Sequence, residues 1–148
     1  MCDPFNMPDC QEWHDKRSIF TLEERKGRKY IGRNKAKKEL ALFDLDGCLI
    51  ESSKLKKADH VFLICEEKKA YFVELKGSDL IKAVRQMSSS LDELLENLKG
   101  YGGIYGRIVL SRVRSNDTRN AELSRLMKRF RELGGNLIYK TRIIEENL

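Results

Sequence analysis

A predicted hairpin of two strands followed directly by a helix spans Lys57–Gln86, and it constrains the fold more than any other stretch. Side chains alternate between the faces of a strand, so Asp59 falls on one face of the first strand, and Glu74 and Lys76 share one face of the second. The short link Glu66–Lys69 makes the pair antiparallel, which brings the start of the first strand beside the end of the second. The sequence therefore predicts that two carboxylates and an ammonium group meet at one end of an apolar hairpin.

This group of side chains has a specific chemical use. Two carboxylates can hold a hard divalent cation such as Mg²⁺, which takes its other ligands from water and from substrate phosphates. Such a cation lowers the pKa of a bound water and stabilises charge that develops on phosphorus. A nearby lysine can position the attacking water or stabilise the oxyanion. The pattern is therefore typical of phosphodiester hydrolysis.

The order of Asp59, then Glu74-Leu75-Lys76 at a strand end, then a helix carrying Gln86, resembles the PD-(D/E)xK nuclease superfamily. That superfamily includes many restriction endonucleases and the archaeal Holliday-junction resolvases. The resemblance implies that Asp59 and Glu74 bind Mg²⁺ or Mn²⁺, with the Leu75 carbonyl as a further ligand. It also implies that Lys76 is the catalytic lysine and that Gln86 corresponds to a helix glutamine of some branches.

The expected fold is α/β, with a mixed β-sheet flanked by helices and a restriction-endonuclease-like core. The predicted order is a three-strand meander, helix, strand, helix and strand. Residues 1–16 are expected to form an N-terminal arm, and residues 17–148 a single nuclease-like domain. The predicted elements after the hairpin are a helix over Asp79–Lys99, a strand over Tyr105–Val113, a helix from Ser115 or Asn116 to Leu133, and a strand over Asn136–Ile144.

Basic residues outnumber acidic ones, 29 to 23, for a net charge of +6. This balance is consistent with a polyanionic partner. The basic run Arg25–Lys38 is either a phosphate-contacting surface or a solvated loop or hairpin tip. The resemblance favours DNA over RNA and leaves a homodimer open. The residues predicted to contact nucleic acid are Arg28, Lys29, Arg33, Lys82, Arg85, Arg112 and Arg114.

Two alternatives to a nuclease remain open. The segment Asp44-Leu45-Asp46-Gly47 resembles the opening motif of the haloacid-dehalogenase phosphatases, which implies Asp44 as nucleophile and Asp46 as acid/base. In the nuclease interpretation, Asp44 or Asp46 instead adds a carboxylate to the metal site, with Asp46 the better candidate because it lies nearer the turn, and Glu23 or Glu24 are further possibilities. The other alternative is a nucleic-acid-binding module that has the same fold and no turnover.

The chain contains four cysteines. Cys48 and Cys65 fall in predicted strands and are expected to be core residues or free thiols. Cys2, Cys10 and His14 do not match a common zinc spacing. The sequence contains no run of about 20 apolar residues that could cross a bilayer and no signal-peptide pattern at its start, so the expected location is the cytoplasm, away from membranes.

Overall fold

The structure is a computed structural model that describes residues 2–24, 27–51, 58–75 and 77–148. No helix in these ranges is long and apolar enough to cross a membrane. Short 3₁₀ turns occur at Pro8–Cys10, Leu95–Leu98 and Ser115–Arg119. The described strands and helices are β1 (Gln11–Asp15), β2 (Ile19–Glu24), β3 (Arg28–Arg33), β4 (Leu40–Asp44), β5 (His60–Ile64), β6 (Lys69–Glu74), α1 (Leu80–Leu94), β7 (Gly103–Leu110), α2 (Ala121–Glu132), β8 (Leu137–Thr141) and β9 (Ile143–Asn147).

The main sheet has six strands in the order β1-β4-β5-β6-β7-β8. β4, β5 and β6 form an antiparallel meander, and β7 and β8 then add in parallel after the crossovers that contain α1 and α2. The α/β class and the mixed sheet are confirmed, and the elements follow the predicted order. β6 lies between the antiparallel and the parallel parts of the sheet, because it is antiparallel to β5 and parallel to β7.

The two faces of the main sheet are covered by different kinds of structure. Both helices pack on one face, where their apolar stripes join a core cluster with Val61, Phe72 and Ile108. A second sheet of order β2-β3-β9 covers the other face, where Phe20 and Tyr30 pack on strand residues. The helices that flank the sheet therefore lie on one side of it, and the second sheet on the other side was not predicted. The basic run contributes β3 to this second sheet.

The N-terminal segment is part of the main sheet and does not project as an arm. β1 forms an edge strand antiparallel to β4. Disulfides join Cys2 to Cys65 and Cys10 to Cys48. The expectation of free thiols at Cys48 and Cys65 is therefore wrong, and Cys2 and Cys10 are not available as zinc ligands.

Removing one disulfide should lower stability measurably. We expect the pair of substitutions Cys10→Ser and Cys48→Ser to reduce the free energy of unfolding by about 2–4 kcal/mol, because the unfolded chain gains conformational freedom. Urea denaturation without reductant measures this loss. In excess dithiothreitol, this variant and the wild type should differ by much less. Reactive thiols in the denatured, unreduced wild type would contradict the assignment of all four cysteines to disulfides.

The predicted strand Asn136–Ile144 divides into β8 and β9, which belong to different sheets. The division occurs at Arg142, whose φ is +69°. Its N–H donates to Leu110 O at 2.8 Å, and its carbonyl accepts from Lys29 N at 2.8 Å. The chain therefore leaves β7 and joins β3 within one residue, and residues beyond the predicted strand, as far as Asn147, pair with β3.

Candidate active site

Asp59 and Glu74 lie at the same end of the β5–β6 hairpin. The register aligns His60 with Val73 and ends there, so Asp59 directly precedes β5 and Glu74 is the last residue of β6. Asp59 N donates to Val73 O at 3.1 Å, one residue out of the β5–β6 register, so the pairing becomes irregular at this position. By alternation with Val61 and Phe72, both side chains lie on the face that the helices cover.

The site is closely packed around these two carboxyl groups. Asp59 Oδ2 accepts a hydrogen bond from Leu75 N at 2.8 Å, and Leu45 N donates to Asp59 O at 3.1 Å. Asp59 is 9% exposed and Glu74 is 0% exposed. Carboxyl groups buried to this extent are held by hydrogen bonds or by a cation, and acidic side chains are uncommon in such positions.

Helix α1 covers the approach to Asp59. Ser90 Oγ accepts from Ala58 N at 2.8 Å and donates to Gln86 O at 2.8 Å. Gln86 is 6% exposed and belongs to the buried face of α1. Ser90 was not among the predicted site residues. The one local pattern that relates Ser90 to Gln86 is their spacing of one helical turn. The other partner of Ser90, Ala58, is 32 residues away in the sequence.

The Leu75 carbonyl and the basic residue Arg28 are in contact. Arg28 is buried, and its Nε donates to Leu75 O. A carbonyl oxygen has two lone pairs, so the Leu75 carbonyl retains one for another partner. Arg28 was predicted to contact nucleic acid, but this placement removes its guanidinium from the surface. Lys76, the predicted catalytic lysine, lies outside the described residues.

The other acids named from the sequence lie apart from this pair. Asp46 occupies a turn and forms an isolated bridge with Ile50. Among the described residues, it does not join Asp59 and Glu74 in a set of ligand atoms that all lie within 4.8 Å of one another. Asp44 pairs in register with His60, on the face opposite to the acidic pair. Glu23 and Glu24 lie on β2, in the second sheet.

The exposed arginines after β7 lie near the strand end that carries Glu74. β6 and β7 are parallel, so their last residues reach the same edge of the sheet. Beyond that edge, Ser111 N donates to Gly77 O at 3.4 Å, and Arg112 and Arg114 follow with exposed side chains.

The remaining basic residues predicted to contact nucleic acid differ in their partners. Lys82 is exposed on the first turn of α1. Arg85 forms two 2.9 Å contacts with Glu122, which raise the pKa of Arg85. Acidic residues of the second sheet pair with the other two: Arg33 with Glu145, and Lys29 with Glu23 at 3.5 Å. Among the predicted contact residues, Arg112 and Arg114 thus combine exposed side chains with a position just beyond the edge of the sheet where β6 ends.

Comparison with known proteins gave no relatives. No protein-family model matches the chain, and no curated protein or solved structure matches it. The function is therefore inferred from the residues and their geometry.

Proposed function

We propose that this chain is a metal-dependent nuclease that hydrolyses phosphodiester bonds, with DNA favoured over RNA. The observation that carries the proposal is the buried acidic pair of Asp59 and Glu74, which lie at the same end of two neighbouring strands. The order of meander, helix, strand, helix and strand supports a restriction-endonuclease-like core, although a fold alone does not establish an activity.

The donor chemistry at this site fits a hard divalent cation. Asp59, Glu74 and the Leu75 carbonyl would hold Mg²⁺ or Mn²⁺, since all three offer oxygen. A cation bound there would supply an acidified water and charge stabilisation at phosphorus. Asp59 is oriented by the Leu75 N–H, which fixes one of its oxygens. The role of Lys76 at the attacking water follows from the superfamily resemblance.

The surface around the site suits a phosphate backbone. Arg112 and Arg114 are exposed beyond the edge of the sheet where β6 ends, and Lys82 is exposed on the helix that follows β6. Contacts from such side chains neutralise phosphates without reading bases. We therefore expect cleavage that depends on the structure of the nucleic acid more than on its sequence.

A cleavage assay tests the proposal directly. Supercoiled, branched and single-stranded DNA are incubated with the protein in Mn²⁺ or Mg²⁺, with and without chelator. We expect cleavage that EDTA abolishes and that Asp59→Asn and Lys76→Ala reduce strongly. Binding without cleavage by the wild type would instead support the alternative, a nucleic-acid-binding module. The phosphatase alternative has less structural support, because β4 is antiparallel to both of its neighbours.

The salt dependence of DNA affinity distinguishes phosphate contacts made by particular residues from a general effect of the protein's positive charge. We expect the double variant Arg112→Ala/Arg114→Ala to bind DNA at least tenfold more weakly at low salt. The slope of log affinity against log salt should become shallower by about 0.9 for each phosphate that the variant no longer neutralises. Fluorescence anisotropy at several salt concentrations measures both quantities.

Lys16→Ala/Arg17→Ala is the matched control for this measurement. It removes the same charge from exposed residues after β1, at the opposite edge of the main sheet. Equal effects of the two double variants would contradict a binding surface beside β7.

A further inference from the structure

A second group of potential ligands lies on the other face of the main sheet. Glu12, Asp44 and His60 each offer one ligand atom, and these three atoms all lie within 4.8 Å of one another. Asp44 and His60 are directly opposed in the β4–β5 register, and Oδ1 of Asp44 lies 3.5 Å from Nδ1 of His60. Three adjacent strands, β1, β4 and β5, thus contribute one side chain each.

The irregularity of β1 contributes to this arrangement. The register between β1 and β4 shifts between Gln11 and Trp13, so Glu12 is the extra residue in that strand. Trp13 packs against the apolar cluster beneath the second sheet. Asp44 and His60 flank the same cluster, because they alternate with Leu42 and Phe62. The cluster of Glu12, Asp44 and His60 therefore lies at the edge of this apolar cluster.

The carboxyl group of Asp44 lies close enough to Glu12 to change the pKa of Glu12. A hydrogen bond with Asp44, partial burial and the charge of Asp44 together raise the pKa of Glu12 to about 7. A cation bound between the two carboxyl groups would relieve the repulsion that their close approach creates.

A comparable cluster elsewhere is not available to a metal. Ligand atoms of His14, Glu39 and Cys65 also lie within 4.8 Å of one another. Cys65, however, is joined to Cys2 in a disulfide, so it offers no thiolate. His14 Nε2 and Glu39 Oε2 contact each other directly at 2.7 Å. His14 therefore serves as a control for His60, because it also lies beside a carboxyl group.

We propose that Glu12, Asp44 and His60 form a binding site for a first-row divalent transition metal, and that Zn²⁺ fits it best. One imidazole nitrogen and two carboxylate oxygens are ligands that Zn²⁺ accepts, whereas Mg²⁺ takes oxygen donors almost exclusively. Zinc–ligand distances of about 2.1 Å place ligand atoms about 3.4 Å apart in a tetrahedral site. The three ligand atoms, which lie within 4.8 Å of one another, would have to move closer together to reach this spacing, and a water would take the fourth position.

The site is separate from the proposed nuclease centre. Asp59 and Glu74 lie on the face that α1 and α2 cover, whereas Asp44 and His60 lie on the opposite face. Zn²⁺ binding and DNA cleavage can therefore be tested independently, and the failure of one leaves the other standing.

Competition against a chromophoric zinc chelator tests the inference on the full chain. We expect one Zn²⁺ per chain from this site, undisturbed by millimolar Mg²⁺. His60→Ala, Asp44→Asn and Glu12→Gln should each weaken binding at least tenfold. Thermal melts in EDTA check that each variant is folded, and His60→Gln replaces His60→Ala if the latter unfolds.

Two control variants decide the location of the metal. His14→Ala and Asp59→Asn should leave the affinity for Zn²⁺ within about twofold of the wild type. The inference is overturned if the wild type binds no Zn²⁺, if a folded His60 variant binds as tightly as the wild type, or if His14→Ala weakens binding as much as His60→Ala.

Discussion

We expect Glu74→Gln to reduce the rate of DNA cleavage by about 1000-fold while the protein stays folded. Glutamine has nearly the same shape as glutamate but no charge, so it cannot hold a divalent cation in the same way. A loss of this size corresponds to about 4 kcal/mol of transition-state stabilisation. Single-turnover cleavage in Mg²⁺ measures it, and anisotropy shows whether DNA affinity is retained.

The matched control is Glu66→Gln, which removes the same charge from an exposed turn residue at the other end of the hairpin. We expect this variant to cleave within about twofold of the wild-type rate. Cleavage by folded Glu74→Gln at the wild-type rate would remove Glu74 from the catalytic site. An equal loss of cleavage rate in both variants would indicate that net charge, and not the acidic pair, governs activity.

We expect Arg107→Ala to lower the free energy of unfolding by about 3–5 kcal/mol, because it removes a buried guanidinium from the partly buried Glu146. Arg107 is 3% exposed and donates from Nε to Glu146 Oε1 at 2.8 Å. Its Nη1 also donates to Asn136 Oδ1 at 2.8 Å. Tyr30 donates to the same Glu146 oxygen at 2.6 Å, and burial raises the pKa of Tyr30, which keeps its hydroxyl protonated.

This network joins the two sheets, since Arg107 lies on β7, Tyr30 on β3 and Glu146 on β9. Thermal denaturation should show a fall in Tm of roughly 10 °C for Arg107→Ala. The neighbouring pair of Arg33 and Glu145 is exposed, and Arg33→Ala should cost about 0–1 kcal/mol. Equal losses for the two arginines would show that burial of the Arg107 pair does not determine its contribution.

Much of the main sheet could be predicted because its signals are local. The alternation around Asp59 and Glu74 and the short turn between their strands identify the hairpin and its acidic end. The apolar stripe of α1 follows the helical period over 15 residues. Each of these patterns depends only on residues that are close to one another in the sequence.

The features that the sequence did not predict depend on contacts between distant residues. β3 pairs in parallel with β9, more than 100 residues later in the chain, and no local pattern specifies that partner. Four cysteines allow three disulfide connectivities, so the sequence alone could not give the observed pairs. Within the site, the contact of Arg28 with Leu75 spans 47 positions, which is why Arg28 looked like a surface residue.

The two disulfides are nested, since the bridge from Cys10 to Cys48 lies within the loop closed by Cys2 and Cys65. The outer loop encloses Asp59 and the whole β2–β3 hairpin, whereas Glu74 and both helices lie outside it. A reductant therefore opens the covalent loop that contains Asp59, whereas the part of the chain that carries Glu74 loses no cross-link of its own.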